Sequence, residues 1–183
     1  MTVKREEILD FVTYGEQRDA IRADVIAQKK VRRVHVGEEL TFLFENHDTV
    51  RYQVLEMVRA EQIVREADIQ HELETYNELL GGPGGIGCTL LIEIDDPEAS
   101  DARLTALLTL PQHIHLEVEG GDRIRATYDE RQVGRGRVSS VQFLKFEAGG
   151  RAPVALVVDH PELEARTELS EAQRGALRQD MGG

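Results

Sequence analysis

Between Glu45 and Glu61 the chain carries Thr49, Tyr52, Gln53, Glu56 and Arg59, side chains able to bind metals, anions or protons, interleaved with Val50, Val54, Met57 and Val58. Residues three and four apart are neighbours on a helix, so Thr49, Gln53, Glu56 and Ala60 share one face and Tyr52 and Arg59 flank it. Tyr52, Glu56 and Arg59 can bond along that surface. Glu45 before the helix and Glu61 beyond it extend the array to carboxylates gathered round an arginine, an arrangement suited to a carboxylate-rich metal site or enzyme. A solvated face of an amphipathic helix has the same pattern, and this alternative stays open.

Other constellations are thinner. Asp68 and His71 stand three apart, but a carboxylate-bridged di-iron site needs two such motifs and two further carboxylates, and only one is present. On a strand, His113 and His115 point to one face with Glu117 and Glu119, opposite Ile114, Leu116 and Val118. Two imidazoles and a carboxylate suit zinc or iron. A solvent-facing polar row fits equally, and we read both histidines as solvent-facing and dispensable. In Asp159-His160-Pro161, adjacent strand residues face opposite ways, so a strand exit is the better reading than an acid-base pair. Cys88 lies in the apolar run Cys88-Thr89-Leu90-Leu91-Ile92, where it reads as a small buried hydrophobe.

Gly82-Pro83-Gly84-Gly85-Ile86-Gly87 matches GxGxxG, yet a helix precedes it and a strand follows, the reverse of the order that aims helix N–H groups at a pyrophosphate. It reads as a mobile loop, able to serve as a lid or hinge. Lys29-Lys30-Val31-Arg32-Arg33 reads as the end of a helix, its cations complementing the negative end of the dipole, with an anion site as the alternative. No GxSxG elbow, P-loop lysine or paired CxxC occurs.

The elements that must position these residues follow from periodicity. Ile8, Leu9 and Val12, then Ile21, Val25 and Ile26, predict two helical pieces interrupted near Gly15. Leu40, Phe42 and Phe44 alternate as a strand. Asn46 and Asp48 supply N-cap chemistry for a long helix from Thr49. Ile69, Leu73, Tyr76 and Leu80 mark another helix, stopped by Gly81 and Gly82. Strands are expected at 90–94, 114–118, 124–128, 138–146 and 154–158, with a helix at 98–108 and a last one after Ser170. The expected fold is α+β, one domain over 1–183. Residues 1–80 form a mainly helical part with one strand, 86–160 a mostly antiparallel sheet on which it packs, and 161–183 a C-terminal helix and tail.

The 183 residues carry 34 acidic and 22 basic side chains, a net charge of -12. That opposes sequence-independent attraction to phosphate backbones, so nucleic acid is not an expected partner. With 40% hydrophobic and 31% charged residues, the composition is that of a globular protein. The charged start Lys4-Arg5-Glu6-Glu7 is unlike a signal peptide and no segment is long enough for a membrane span, so a cytoplasmic location is expected.

The segments Lys30-Val31-Arg32-Arg33-Val34, Phe44-Glu45-Asn46, Tyr52 to Glu61, Glu72 to Leu79 and Thr89 to Ile94 resemble an uncharacterised bacterial domain-of-unknown-function family, over nearly the whole chain up to the final helix. The resemblance implies a gene often encoded beside a rubrerythrin and an iron-sulfur oxidoreductase related to heterodisulfide reductase subunits. The resemblance implies a redox or peroxide-defence setting and one of those proteins as partner. It adds emphasis to Glu45, Tyr52, Gln53, Glu56, Arg59, Glu61, Tyr76 and Asn77. His47 stands where the family has a more basic residue. The first expectation is therefore a non-catalytic accessory protein that binds a redox partner. The second is a carboxylate-rich metal site or enzyme on Glu45, Glu56, Arg59 and Glu61, and the third a small-molecule sensor closed by the glycine loop. Metal content and a homo-oligomeric state are left open.

Overall fold

Asp10, Asn46, Asp96 and Ser170 each precede a helix and turn a side-chain oxygen onto its first free N–H groups, satisfying donors that the helix itself leaves unpaired. The helices they start are α1 (Phe11–Lys30), α2 (His47–Ala60), α4 (Pro97–Ala106) and α5 (Glu171–Asp180), while α3 spans Glu66–Asn77. The strands of the described residues are β1 (Arg33–Val36), β2 (Leu40–Glu45), β3 (Ile86–Ile92), β4 (Ile114–Val118), β5 (Arg123–Arg125), β6 (Thr127–Tyr128), β7 (Val141–Phe146), β8 (Pro153–His160) and β9 (Leu163–Glu168). The structure, a computed structural model, describes residues 2–182 apart from 131, 132 and 135.

The fold is α+β, with helices mainly in the N-terminal part and every strand pair among the described residues antiparallel. The strands form two sheets where one was expected, in the orders β1-β2-β3-β7-β6 and β5-β4-β8-β9. The crossing between them lies at Ala126, in the middle of what reads as one strand. Its buried N–H donates to the Ile114 carbonyl at 2.9 Å while Thr127 already pairs with Lys145 in the other sheet. Along the opposite side, the Thr167 hydroxyl of β9 donates to the His35 carbonyl of β1 at 3.0 Å.

The main core fills the space between the sheets, with Phe42, Phe44, Ile86, Leu90 and Phe146 from one and Ile114, Leu116, Leu156 and Val158 from the other. Leu104 of α4 and Leu177 of α5 join it. The first three helices do not complete that core. They build a second one from Tyr14, Val50, Val54, Leu55, Val58, Ile69 and Leu73, with Val3 and Ile8. The helical part therefore has its own apolar interior, and meets the first sheet through polar side chains described below.

Several boundaries differ from expectation. Gly15 does not interrupt α1, because a glycine costs a helix only about 1 kcal/mol against alanine and Tyr14 and Val25 anchor the helix on both sides of it. Arg33, expected in the helix end, instead opens β1, where Arg33 and His35 alternate with buried Val34 and Val36. β9 was expected as tail. Its charged outward residues suit an edge strand, which charge protects from further pairing.

The glycine loop is fastened in place, contrary to the expected mobile lid. Gly85 N–H donates to the Gly82 carbonyl at 2.9 Å and Gly150 N–H to the Gly84 carbonyl at 2.8 Å. A Cβ on Gly87 would lie 1.6 Å from the Leu79 carbonyl oxygen, so the chain after α3 can cross β3 only over a glycine. Gly87→Ala should cost on the order of 3 kcal/mol or more, read as a lowered urea midpoint. A midpoint equal to wild type would refute the close approach.

Candidate functional site

The polar face of α2 meets α1, and the partners are not those that spacing along one helix suggests. The Tyr14 hydroxyl donates to Glu56 Oε1 at 2.5 Å, and Arg18 donates through Nε to Oε1 at 2.8 Å and through its second arm to Oε2 at 2.9 Å. This two-pronged pairing satisfies both carboxylate oxygens. The Arg18 guanidinium holds Glu56 below its ordinary carboxylate range against partial burial, with help from Tyr14. Burial and the Glu56 charge together push the Tyr14 phenol well above its ordinary value.

Arg59 makes none of these bonds and is exposed at the end of α2, as is Glu61. The expected Glu56–Arg59 pairing is thus replaced by Glu56–Arg18, because α1 was not legible as the neighbour. Tyr52 and Gln53 are half-buried, and the Lys29 ammonium lies 5.4 Å from the Tyr52 ring centroid. Asn77 pairs with the backbone of Val3 in both directions, accepting its N–H at 2.8 Å and donating to its carbonyl at 2.9 Å. It holds the N-terminal segment as a strand neighbour would. Tyr76 packs on the helical core and lines a cleft with β6 and β7.

Glu45 sits at the other end of α2. From Thr49, which donates to Glu45, to Glu56 the helix rises roughly 10 Å, so Glu45, Glu56, Arg59 and Glu61 do not converge on one centre. Glu45 is 8% exposed and accepts from the Thr49 hydroxyl at 2.6 Å and the Thr89 hydroxyl at 2.7 Å, joining α2 to β3. It also lines a cleft of about 830 Å3 between the start of α2, the glycine loop and the end of α5. Cys88 is buried in the main core, where burial and then the Glu45 charge raise its thiol well above the ordinary value, opposite to an activated nucleophile.

The histidines also sort differently. His113 is half-exposed while His115 is only 9% exposed, which corrects the solvent-facing reading for His115. It lies on a central strand flanked by Arg125 of β5 and Val157 of β8. Both histidines approach Asp159, His113 Nδ1 at 3.1 Å and His115 Nε2 at 3.2 Å. The second approach is too poorly aligned to be a hydrogen bond. Burial raises the Asp159 carboxyl, but the two imidazoles outweigh it and hold the group below its ordinary range. His160 Nδ1 accepts the Glu162 N–H at 3.1 Å, so its Nε2 carries the proton and donates to Thr109 at 3.0 Å. Burial, then the nearby His113, lowers its pKa, so this ring is a neutral structural group.

Asp68 and His71 are exposed on α3 beside a shallow groove shared with Glu61 and Glu72. Among the described residues, no group of three or more His, Cys, Asp or Glu side chains is arranged to hold a metal ion. No helix among them is long and apolar enough to cross a membrane. The partners Tyr14, Arg18 and Thr89 were missed, since only tertiary packing brings them to Glu56 and Glu45.

A family model described as a protein of unknown function, DUF3501, matches residues 2–181. Among solved structures, a novel protein of unknown function from Burkholderia pseudomallei K96243 is 31% identical and has a TM-score of 0.90. The match covers 99% of this chain and 100% of that one. Among curated proteins nothing matches.

Two outcomes follow from the Glu56 geometry. A carboxyl with a depressed folded pKa contributes stability above its unfolded value and loses it as pH falls through the folded one. Urea melts from pH 6 down to pH 3 should therefore show wild type losing stability below Glu56's ordinary value of 4.5, with a shallower loss in Glu56→Gln. Equal slopes would deny the pairing. Arg59→Ala, at an exposed site, should change stability by no more than about 0.5 kcal/mol, and a loss several times larger would restore it to the network.

Proposed function

Since the chain belongs to the DUF3501 family, the function is sought in its own geometry, and we propose that it is a non-catalytic accessory protein that binds a redox partner. The observation that carries this reading is the cleft of about 480 Å3 between α3 and β6–β7, walled by Tyr76, Leu79, Tyr128, Phe143 and Leu144. Phe143 remains 42% exposed there. Aromatic and aliphatic walls with a polar rim of Glu78, Asp129 and Lys145 have the chemistry of a protein-binding hot spot.

The candidate polar residues support the same reading. Glu56 is held by Arg18 and Tyr14, and Asn77 by Val3, so these side chains serve the helical part and do not await a substrate. The redox partner comes from the family resemblance, which implies a rubrerythrin or an iron-sulfur oxidoreductase in the same setting.

Purified rubrerythrin and iron-sulfur oxidoreductase from the source organism, each titrated against this protein, test the proposal. At least one should bind saturably with a Kd on the order of micromolar, weakened at least about tenfold by Phe143→Ser or Tyr128→Ala. Failure of both to bind, or binding indifferent to both substitutions, would reject it. A second reading, a carboxylate metal site at Glu45, is favoured by its place in the larger cleft, where the Thr49 and Thr89 hydroxyls, and no cation among the described residues, meet it. Stoichiometric metal in the purified protein, lost in Glu45→Gln, would select that reading.

A further inference from the structure

The basic run at the end of α1 has a geometry that helix capping does not exhaust. Ile26, Lys29 and Lys30 lie three and four apart on the last turns of α1, and Arg33 and His35 lie two apart on β1. These spacings put each set on one face, and together the five line a pocket of about 480 Å3 with no carboxylate in its wall. Arg32, between the two sets, is turned inward onto Asp180, which leaves Arg33 and His35 on the outward face of β1.

The strand is held firmly beneath them. Gln173 Nε2 donates to the Arg33 carbonyl at 2.7 Å and the Thr167 hydroxyl to the His35 carbonyl at 3.0 Å. Thr41 gives its hydroxyl proton to Glu93, so its oxygen accepts from His35 Nδ1 at 2.9 Å and fixes the ring. Nε2 is the remaining polar atom of that imidazole.

Charge decides what such a pocket can hold. Elsewhere Arg18, Arg32, Arg103 and Arg166 each meet a carboxylate at 2.8, 2.7, 2.7 and 2.7 Å. Among the ion pairs of the described residues none involves Lys29, Lys30 or Arg33, Lys29 lying over the Tyr52 ring, although the chain's net charge is -12. The helix dipole at the end of α1 supplies only about half a negative charge. Three cations exceed what that half charge calls for, and the Glu93 carboxylate meets His35 through the Thr41 hydroxyl and is not in the pocket wall.

We propose that this pocket binds a small phosphorylated anion. The Arg33 fork takes two phosphoryl oxygens in the geometry guanidinium groups favour, Lys29 and Lys30 add charge from the facing helix, and the apolar part of the ligand rests on Ile26, which is 52% exposed. The site is separate from the apolar cleft beside β7 and stands or falls without it.

Calorimetric titration and amide chemical shifts with inorganic pyrophosphate as the probe, at low salt, give the test. The expected result is one saturable site with shifts concentrated at residues 26–35. Lys30→Glu and Arg33→Glu, both at exposed positions, should weaken binding at least tenfold, while Arg125→Glu on exposed β5 changes it less than twofold. Absence of saturation, or an equal loss in Arg125→Glu, overturns the site. Binding of hexaglutamate as tight as that of pyrophosphate overturns the phosphate assignment.

Discussion

A guanidinium taken out of water must be met by a carboxylate, and at the junction of α1, β1 and α5 that requirement falls on Arg32. Its side chain is 8% exposed and that of its partner Asp180 is 9% exposed, with Nε 2.7 Å from Oδ2 and the second arm 2.9 Å from Oδ1. A third arm donates to the Gln28 carbonyl at 3.0 Å. The pair ties the end of the first long helix to the last helix of the chain, and so ties the helical part to the β-sandwich. With Arg32 inward, strand alternation sends Arg33 outward, and the basic pocket follows from that one orientation. Asn46, which starts α2, reaches Gln28 at 3.1 Å, so the start of the second helix is set against the same junction.

The polar residues divide between those that join parts of the molecule and those that face outward. Glu56 with Tyr14 and Arg18 joins α1 to α2, Glu45 with Thr49 and Thr89 joins α2 to β3, and Asn77 joins α3 to the N-terminal segment. With two separate apolar cores, such joints are needed, because the helical part does not bury a continuous face against the sheet. What remains outward is an aromatic cleft beside β7 and a basic pocket beside β1, two surfaces of opposite chemistry on the same sheet.

Periodicity made most elements legible. The alternation of Leu40, Phe42 and Phe44, the cap residues Asn46 and Ser170, and the apolar spacing of α3 each appear close to where they read. What was hidden is tertiary. Nothing local marks Ala126 as a crossing between sheets, since its neighbours alternate as one strand would. Arg33–Val36 and Leu163–Glu168 are short or charged, and their pairing depends on partners far along the chain. For the site, spacing along α2 identified Glu56 as a paired carboxylate but gave it the cation on its own helix. The true partner comes from α1, at a separation in sequence that a helical pattern does not encode.

The account rests on the Arg32–Asp180 pair as the joint between the two parts, and a double-mutant cycle in urea tests it most directly. Removing one partner of a buried pair strands a charge, so Arg32→Met and Asp180→Leu alone should each cost about 3–5 kcal/mol, while the double replacement should recover most of that loss. Single variants that melt like wild type, or losses that simply add in the double variant, would contradict it.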